Sequence, residues 1–251
     1  MGKLIVLGSS YAIPDETHDN THLVLVGRAG LVLVDCASRP VTRLRQGGLA
    51  HEQLTDVILT HFHPDHVYGI SLLLMELWLR GRTAPLWLHG LQHCMSRTEN
   101  LMVACDVRDW PHMYPLTYHA VDEQPDMLLL DNTDFRITCT PVKHFIPTIG
   151  LRIEDKHTGR VLAYSCDTEP CAGDIHLARG ADLLIHECAG LGFGHTSAGQ
   201  AGEIAAEAKV RSLVLIHYPT GGRDTSGLVL EAKAAFSGPV TLADDLMALE
   251  W

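Results

Sequence analysis

The segment 61–66 places three histidines and one aspartate in the pattern H-x-H-x-D-H. It directly follows an apolar run, Asp56–Thr60, which predicts a buried strand. His61 and His63 are two residues apart, so an extended backbone turns both side chains to one side. Imidazoles and carboxylates bind borderline metals, with zinc first and manganese or iron as alternatives. The segment therefore predicts a metal-binding loop whose ligands are His61, His63, Asp65 and His66.

Three further polar residues, His144, Asp167 and His217, lie at or just beyond the ends of later apolar runs. In layered α/β folds, chemistry collects where strands end, so we expect all three to face the first segment. Asp167 suits a bridging position, because a carboxylate can give one oxygen to each of two metals. Each histidine taken alone is equally well explained as a core histidine. Their shared position favours a metal site with more ligands than one loop supplies.

With these residues in place, the chain resembles the metallo-β-lactamase superfamily, whose ligands follow in this order along the sequence. Finer features are similar to the ribonuclease Z-like branch of that superfamily and its phosphodiesterase relatives. The segments that carry this similarity are Leu4–Ser10, Thr148–Ile153, Tyr164–Thr168, His186–Ala189 and His195–Ala201. The similarity extends over nearly the whole chain, which identifies it as a member of this branch without fixing the substrate.

The resemblance implies a centre with two divalent metal ions and no organic cofactor. One metal would be held by His61, His63 and His144. The second would be held by Asp65, His66 and His217, with Asp167 bridging the two. The implied fold is an α/β (αββα) sandwich in which two mixed β-sheets pack face to face, with helices on both outer faces. The resemblance places the whole chain, residues 1–251, in a single domain.

Glu187 and His195 match the branch's carboxylate–histidine pair, which acts as a proton shuttle. A carboxylate beside an imidazole orients the ring and favours its protonated form. Protonated His195 would then donate to a leaving oxygen, while Asp65 orients the metal-activated hydroxide. The alternative is that Glu187 only caps a strand and His195 only starts a helix.

The chain also departs from the branch at three points. Ala37 stands where the branch has glycine, and Cys166 replaces the glycine before Asp167; we expect Cys166 to point away from the metals and pack in the core. Only 22 residues, positions 145–166, separate His144 from Asp167. Many tRNA-processing members carry a long tRNA-gripping arm there, and this chain has no room for one.

These features predict a binuclear, zinc-dependent phosphodiesterase. The short connection and the net charge of −11 favour small phosphodiesters such as cyclic nucleotides over long RNA. The alternative is a ribonuclease Z-like tRNA 3′-processing endonuclease without the arm, acting on an RNA 3′ end. Thioesterase and β-lactamase activities are disfavoured by the branch features. A non-catalytic metal-dependent sensor is a third class, disfavoured because all seven ligands are present.

The elements that must position these residues are legible through most of the chain. Apolar runs predict strands at Leu4–Leu7, His22–Val26, Leu31–Asp35, Asp56–Thr60, Leu86–His89, Phe135–Thr140, Thr148–Glu154, Arg160–Ser165, Asp182–His186, Ser212–His217 and Pro239–Leu242. Helices are predicted at Pro40–Arg45, Ile70–Leu79 and Ser197–Lys209. Residues 90–125 are the least legible part of the chain, where we expect some helix and an exposed flap around Trp110–Pro115. Strands in both halves with few helices between them predict two sheets enclosed by helices.

The amino-acid composition indicates the kind of cellular compartment in which the protein resides. Seven scattered cysteines without a C-x-x-C pair indicate a reducing compartment, which we take as the cytoplasm. No apolar run approaches the roughly 20 residues of a membrane span. Members of the ribonuclease Z-like branch are often dimers, and this resemblance makes residues 40–80 a candidate homodimer face. Most other histidines are expected to be solvated: His18, His22, His51, His93, His112, His119, His157 and His176. His89 and His186 are candidates for contact with the site.

Overall fold

A first sheet of seven strands holds most of the N-terminal half of the protein, whose computed structural model describes residues 2–251. Its strands are β1 (Lys3–Gly8), β2 (His22–Val26), β3 (Leu31–Val34), β4 (Leu54–Ile58), β5 (Leu86–Leu91), β6 (Leu116–Val121) and β14 (Ala248–Glu250). They lie in the order β14-β1-β2-β3-β4-β5-β6. Strands β3 to β6 run parallel to one another, so their carboxyl ends share one edge.

A second sheet of seven strands is built from the C-terminal half. Its strands are β7 (Met127–Asp131), β8 (Phe135–Val142), β9 (Thr148–Asp155), β10 (Val161–Tyr164), β11 (Leu183–Glu187), β12 (Leu213–Ile216) and β13 (Val240–Leu242). Their order is β13-β12-β11-β10-β9-β8-β7. Strands β10 to β13 are parallel and the others antiparallel. Both sheets are therefore mixed, as predicted.

Helices cover the outer faces of the two sheets. They are α1 (Pro40–Gln46), α2 (Pro64–Val67), α3 (Ile70–Leu79), α4 (Gln92–Ala104), α5 (Ala172–Ala178), α6 (Ala198–Glu207) and α7 (Leu228–Lys233). Side chains of α1, α3 and α4 pack on the outer face of the first sheet. Those of α5, α6 and α7 pack on the second. The predicted αββα sandwich is confirmed.

The largest apolar cluster lies between the two sheets. Leu23 and Ile58 of the first sheet belong to it together with Leu151, Ile185 and Ile216 of the second. Their sequence neighbours along each strand point outward, toward the helices, as the two-residue period of a strand requires. Both faces of the central strands are thus buried, which explains why they are apolar throughout.

The end of β4 differs from the prediction by two residues. The strand was expected to reach Thr60 but ends at Ile58. The backbone N–H of Thr60 donates to Oδ1 of Asp35 at 2.9 Å and so leaves the ladder. Because of this hydrogen bond, the loop that carries the predicted metal ligands begins before the apolar run Asp56–Thr60 ends.

Residues 90–125 are more regular than their sequence indicates. They contain α4, a short 3₁₀ helix at Val107–Asp109 and the edge strand β6. The buried face of α4 includes Cys94 and Thr98, so its apolar stripe is hard to see. Strand β6 is mostly half-buried and lacks a clear alternation. Five short elements were also missed, namely α2, β7, α5, α7 and β14.

Helix α6 begins one residue after the predicted start. Ser197 accepts a hydrogen bond from the backbone of Gln200, and the Gln200 side chain accepts one from the backbone of Ser197. This reciprocal pair is a capping box, which satisfies two donors of the first turn. It fixes the helix immediately after His195, a candidate catalytic residue.

His22 is not solvated as expected. It is fully buried at the start of β2, where Nδ1 donates to the carbonyl of Asn20 at 2.8 Å. Burial disfavours the charged ring and lowers the pKa of His22 to about 4. The histidine is therefore a neutral core residue, a role its polar flanks concealed.

All seven cysteines carry free thiols, in agreement with the prediction. Within residues 2–251, every helix is too short or too polar to cross a membrane.

Candidate metal centre

The predicted metal ligands meet at the carboxyl ends of strands from both sheets. The loop after β4 carries the first four, and the loops after β8, β10 and β12 carry the rest. Strands β4 and β10 lie in different sheets, so the cluster bridges the edge where both sheets end. The ligands brought together are His61, His63, Asp65, His66, His144, Asp167 and His217.

Three histidines form one side of the cluster. Nδ1 of His63 lies 3.1 Å from Nε2 of His61 and 3.0 Å from Nε2 of His144. Ligand atoms around a tetrahedral zinc at nitrogen distances of about 2.0–2.1 Å are separated by about 3.3 Å. The three imidazoles are therefore spaced like the ligands of a single ion.

Asp167 lies between this group and the rest of the cluster. Its Oδ2 is 3.2 Å from Nε2 of His217 and 3.4 Å from Nε2 of His66. The same oxygen is 4.0 Å from Nε2 of His61 and from Nε2 of His144. Asp65 completes the second group, with Oδ2 3.5 Å from Nε2 of His66. This central position agrees with the bridging position predicted for Asp167.

The donor set fits divalent metal ions. Burial lowers the pKa of His61 well below its usual value and that of His144 to about 4, so both rings stay neutral. Burial opposes the charge of Asp167, but His217 and His66 outweigh it and hold its pKa well below the usual range. Among residues 2–251, Oδ1 of Asp167 is buried without a hydrogen-bond partner. Burial also opposes a charge on His66, but Asp167 and Asp35 outweigh it and raise the pKa of His66 well above its usual value. A bound cation would take the place of that proton beside the unpaired oxygen of Asp167.

Outer contacts hold the rings with Nε2 free for a metal. Nδ1 of His144 donates to the carbonyl of Gly194 at 2.7 Å. Nδ1 of His217 lies 3.1 Å from Oγ1 of Thr21, whose hydroxyl donates to the backbone of Ser10. Each contact places the proton on Nδ1 and leaves the lone pair on Nε2.

Asp35 is the most connected of these outer residues. Its carboxylate accepts from the hydroxyl of Thr60 at 2.9 Å and from Nδ1 of His66 at 2.9 Å. Thr60 in turn lies 3.1 Å from Nδ1 of His61. One buried carboxylate thus orients two ligands, His66 directly and His61 through Thr60. In the sequence, Asp35 was recognisable only as the last residue of the predicted strand Leu31–Asp35.

Replacing Asp35 with Asn should weaken metal binding by about 10- to 100-fold. Oδ2 faces Nδ1 of His66, so the amide NH₂ would stand there while the amide oxygen keeps Thr60. His66 would then have to carry its proton on Nε2, which removes its lone pair from the metal. Metal content and competition with a chelator measure the effect.

Asp56→Asn is a matched control for this substitution. Asp56 is also a buried carboxylate beside a histidine, with Oδ1 2.8 Å from Nε2 of His89. It should keep the wild-type metal affinity. Equal affinities in the Asp35→Asn and Asp56→Asn variants would contradict the orienting role of Asp35.

Cys166 is buried in the core, but it does not point away from the site as expected. Its thiol contacts Oγ1 of Thr60 at 2.9 Å and lies 3.5 Å from Nδ1 of His61. The backbone turns at this residue with φ 54°, and Asp35 and His217 also have left-handed φ values of 61° and 54°. Non-glycine residues in this region store strain of about 1–3 kcal/mol each. The turn is what brings both Cys166 and Asp167 toward the ligands.

Glu187 and His195 form the predicted pair. Nδ1 of His195 donates to Oε1 of the fully buried Glu187 at 2.9 Å. The Glu187 carboxylate also accepts from the backbone N–H groups of Thr168 and Ala189. Burial opposes a charge on His195, but the hydrogen bond and charge of Glu187 outweigh it and raise its pKa. His195 can therefore hold a proton on the nitrogen that faces the cluster.

A pocket of about 210 Å³ opens over the cluster. Tyr11, Ala12 and Phe145 line it together with His195 and five of the ligands, namely His63, Asp65, His144, Asp167 and His217. A larger groove of about 600 Å³ runs between Phe62 and Leu101, but it is lined mainly by apolar side chains. The small pocket is the place where a polar group of a substrate reaches the cluster.

The two remaining candidate histidines differ. His186 is buried, donates through Nδ1 to the carbonyl of Glu187 at 2.8 Å and pairs with Asp174 at 2.8 Å. It thus supports the strand end that carries Glu187. His89 instead pairs with Asp56 and His119, neither of which belongs to the cluster.

Known proteins are similar to this one over most of the chain. The model of the β-lactamase superfamily domain matches residues 31–218. Ribonuclease Z of Methanothermobacter thermautotrophicus is 26% identical, and the match covers 100% of this chain and 97% of that protein. Ribonuclease Z of Thermobifida fusca is 27% identical over 98% of this chain and 93% of its own length.

Solved structures give the same result. A metallo-β-lactamase fold protein of Bacillus subtilis, YhfI, is 28% identical and superposes with a TM-score of 0.83, covering 100% of this chain and 99% of that one. The short form of human tRNase Z shares the fold with a TM-score of 0.77 at 23% identity, over 99% of this chain and 98% of that one.

Proposed function

The chain belongs to the β-lactamase superfamily, and on this premise we propose that it hydrolyses phosphodiester bonds in RNA, at or near a 3′ end, in the manner of ribonuclease Z. It is a metal-dependent hydrolase of the ribonuclease Z-like branch. The observation that carries the proposal is the joint placement of the metal cluster and the Glu187–His195 pair on one pocket.

We assign two metal ions to the cluster, with zinc as the first choice and manganese or iron as alternatives. Metals held there would act as Lewis acids on a phosphoryl oxygen and lower the pKa of water. His61, His63 and His144 would hold one ion. Asp65, His66 and His217 would hold the other, and Asp167 would contact both.

The protein's own side chains supply the remaining chemistry. The Asp65 carboxylate, partly exposed beside His66, accepts a hydrogen bond from the attacking water and orients it. His195, held by Glu187, gives its proton to the oxygen that leaves phosphorus. An alkoxide is a poor leaving group, so this proton transfer assists the cleavage of an RNA phosphodiester.

The proposed substrate is RNA, whereas the sequence analysis favoured a small phosphodiester. Alignment with the Methanothermobacter ribonuclease Z spans 311 positions, against the 251 residues of this chain. About 60 positions in the relative therefore have no counterpart here, in keeping with the short hairpin between β9 and β10. Similarity to two ribonucleases Z over nearly their full length supports the RNA substrate despite this difference.

The surface near the pocket accommodates more than a mononucleotide. Tyr11 lines both the pocket over the cluster and an adjoining cavity of about 470 Å³, where Arg223 is also found. Lys143, with a side chain 63% exposed, precedes the ligand His144. Lys143 pairs with Glu169 at 2.6 Å, and Arg223 shares its cavity with Asp224, so a phosphate bound at either cation would compete with a carboxylate.

An assay of the purified protein with added zinc or manganese tests the proposal. We expect cleavage of a precursor tRNA near its 3′ end and little turnover of cyclic mononucleotides. Turnover of the cyclic nucleotides alone would support the second candidate, a small-molecule phosphodiesterase, which the short β9–β10 connection favours. Turnover of thioesters or lactams alone would exclude both.

A further inference from the structure

Two aromatic rings stand exposed at the rim of the pocket. The side chains of Phe145 and Phe193 are 51% and 75% exposed. Their ring centroids are 5.0 Å apart at an angle of 64°. Apolar aromatic surface in water is unfavourable, so a pair of this kind beside a catalytic cluster marks a place where a ligand covers it.

Phe145 reaches directly to the catalytic groups. Its ring centroid is 4.8 Å from that of His144, 6.2 Å from that of His63 and 6.1 Å from that of His195. It also lines the pocket over the cluster. A planar group resting on Phe145 is therefore adjacent to any phosphate bound in that pocket.

The Phe145 ring occupies space that is available only because residue 194 is a glycine. Gly194 has φ +82°, and a Cβ on this residue would lie 2.5 Å from the ring. The carbonyl of the same glycine accepts from His144. The backbone thus holds the ring, the metal ligand and the following His195 in one arrangement.

We propose that Phe145 and Phe193 stack on the nucleobase of the nucleoside whose oxygen leaves the scissile phosphate. The inference rests on the proposed function and extends it to a base-binding site. His195 protonates that leaving oxygen, and Phe145 is packed beside His195, so the attached nucleoside lies toward the two rings. Aromatic rings bind every base through its π-face, which gives affinity with little sequence preference.

Substrates that lack one base test this assignment. The RNA cleaved in the assay above is compared with two copies that carry an abasic residue, one on the leaving side of the scissile phosphate and one on the other side. Phe145→Ala should lower kcat/KM on the intact RNA by about 5- to 150-fold, mainly through KM. On the leaving-side abasic RNA the wild-type protein should lose a similar factor, and Phe145→Ala should lose nothing more.

On the RNA that is abasic on the other side, Phe145→Ala should still lose its full factor. Phe145→Trp retains a ring and should restore activity on the intact RNA. Leu191 is another exposed apolar residue, 82% exposed, in the loop that carries Phe193. The Leu191→Ala variant should behave as wild type. Quenching of 2-aminopurine at the leaving nucleoside gives a readout of stacking before cleavage, and Phe145→Ala should abolish it.

The outcomes separate this inference from the proposed function. Equal losses for Phe145→Ala on all three RNAs, or no loss on any, would overturn base stacking while leaving the nuclease activity in place. If the wild-type protein cleaves none of the three RNAs, the proposed function fails and the inference fails with it.

Discussion

An Asp167→Asn variant should lose at least one equivalent of bound metal and about 10³-fold or more in kcat/KM on RNA. The Oδ2 atom of Asp167 lies within 4.0 Å of Nε2 in four ligand histidines, His61, His66, His144 and His217. Asparagine keeps the shape but removes the charge and one of the two ligand oxygens. Metal ions contribute several kcal/mol to stabilising transition-state charge, and about 4 kcal/mol corresponds to 10³-fold in rate.

Elemental analysis of the purified variant and the RNA cleavage assay measure the two effects. Asp174→Asn is the matched control, because Asp174 is a fully buried carboxylate that pairs with His186 at 2.8 Å. This control should lose stability but retain its metals. An Asp167→Asn protein with full metal content and wild-type kcat/KM would rule out the bridging assignment.

The second large effect is expected from His195→Ala, which should lower kcat on RNA by about 10²- to 10⁴-fold, the usual contribution of a general acid. Nδ1 of His195 is occupied by Glu187, so the ring presents Nε2 to the cluster. His195 also lies close enough to His144 and Asp167 to be considered as a ligand. Removing a proton donor should leave the metal content unchanged, whereas removing a ligand should also lower it.

The leaving group separates these two roles. A 4-nitrophenyl phosphodiester expels a stable anion and needs no proton, so His195→Ala should lose far less on it than on RNA, with unchanged metal content. Equal losses on both substrates together with lost metal would make His195 a ligand instead. His157→Ala, which breaks a histidine–carboxylate pair with Asp134 at 2.9 Å, is the control and should match wild type.

The candidate ligands could be grouped from the sequence because strand ends are visible there. Asp167 and His217 each follow a run of apolar residues that is buried on both faces, and parallel strands bring such ends to one edge. The resemblance to a known family then assigned Glu187 and His195, which no local pattern would have paired across eight residues and a loop. The fold class followed from the same alternation of runs.

The outer contacts could not be predicted in this way. Thr21 meets His217 across the join between the two sheets, and the carbonyl of Gly194 meets His144 from a separate loop. These hydrogen bonds depend on where loops cross in space, and neither the residue type nor its spacing signals them. The pairing of Phe145 with Phe193 belongs to the same class, since an isolated phenylalanine in a sequence predicts core burial.

Half-buried elements were the other source of error. Strand β6 has neither an apolar run nor a polar face, because it forms the edge of the first sheet. Helix α4 covers that sheet with a mixture of cysteine, methionine and threonine. Periodicity identifies an element only where one face is consistently apolar; β6 has no such face, and the buried face of α4 includes Cys94 and Thr98.

The left-handed backbone at Asp35, Cys166 and His217 limits how this protein can vary. Side chains branched at Cβ are strongly disfavoured at such φ values, whereas glycine, asparagine and aspartate are accepted. Cysteine at position 166 holds this left-handed φ of 54° at a conformational cost that glycine would not have. Mutational drift around the centre is therefore confined by backbone shape as well as by metal chemistry, and a laboratory library would be best focused on the rim.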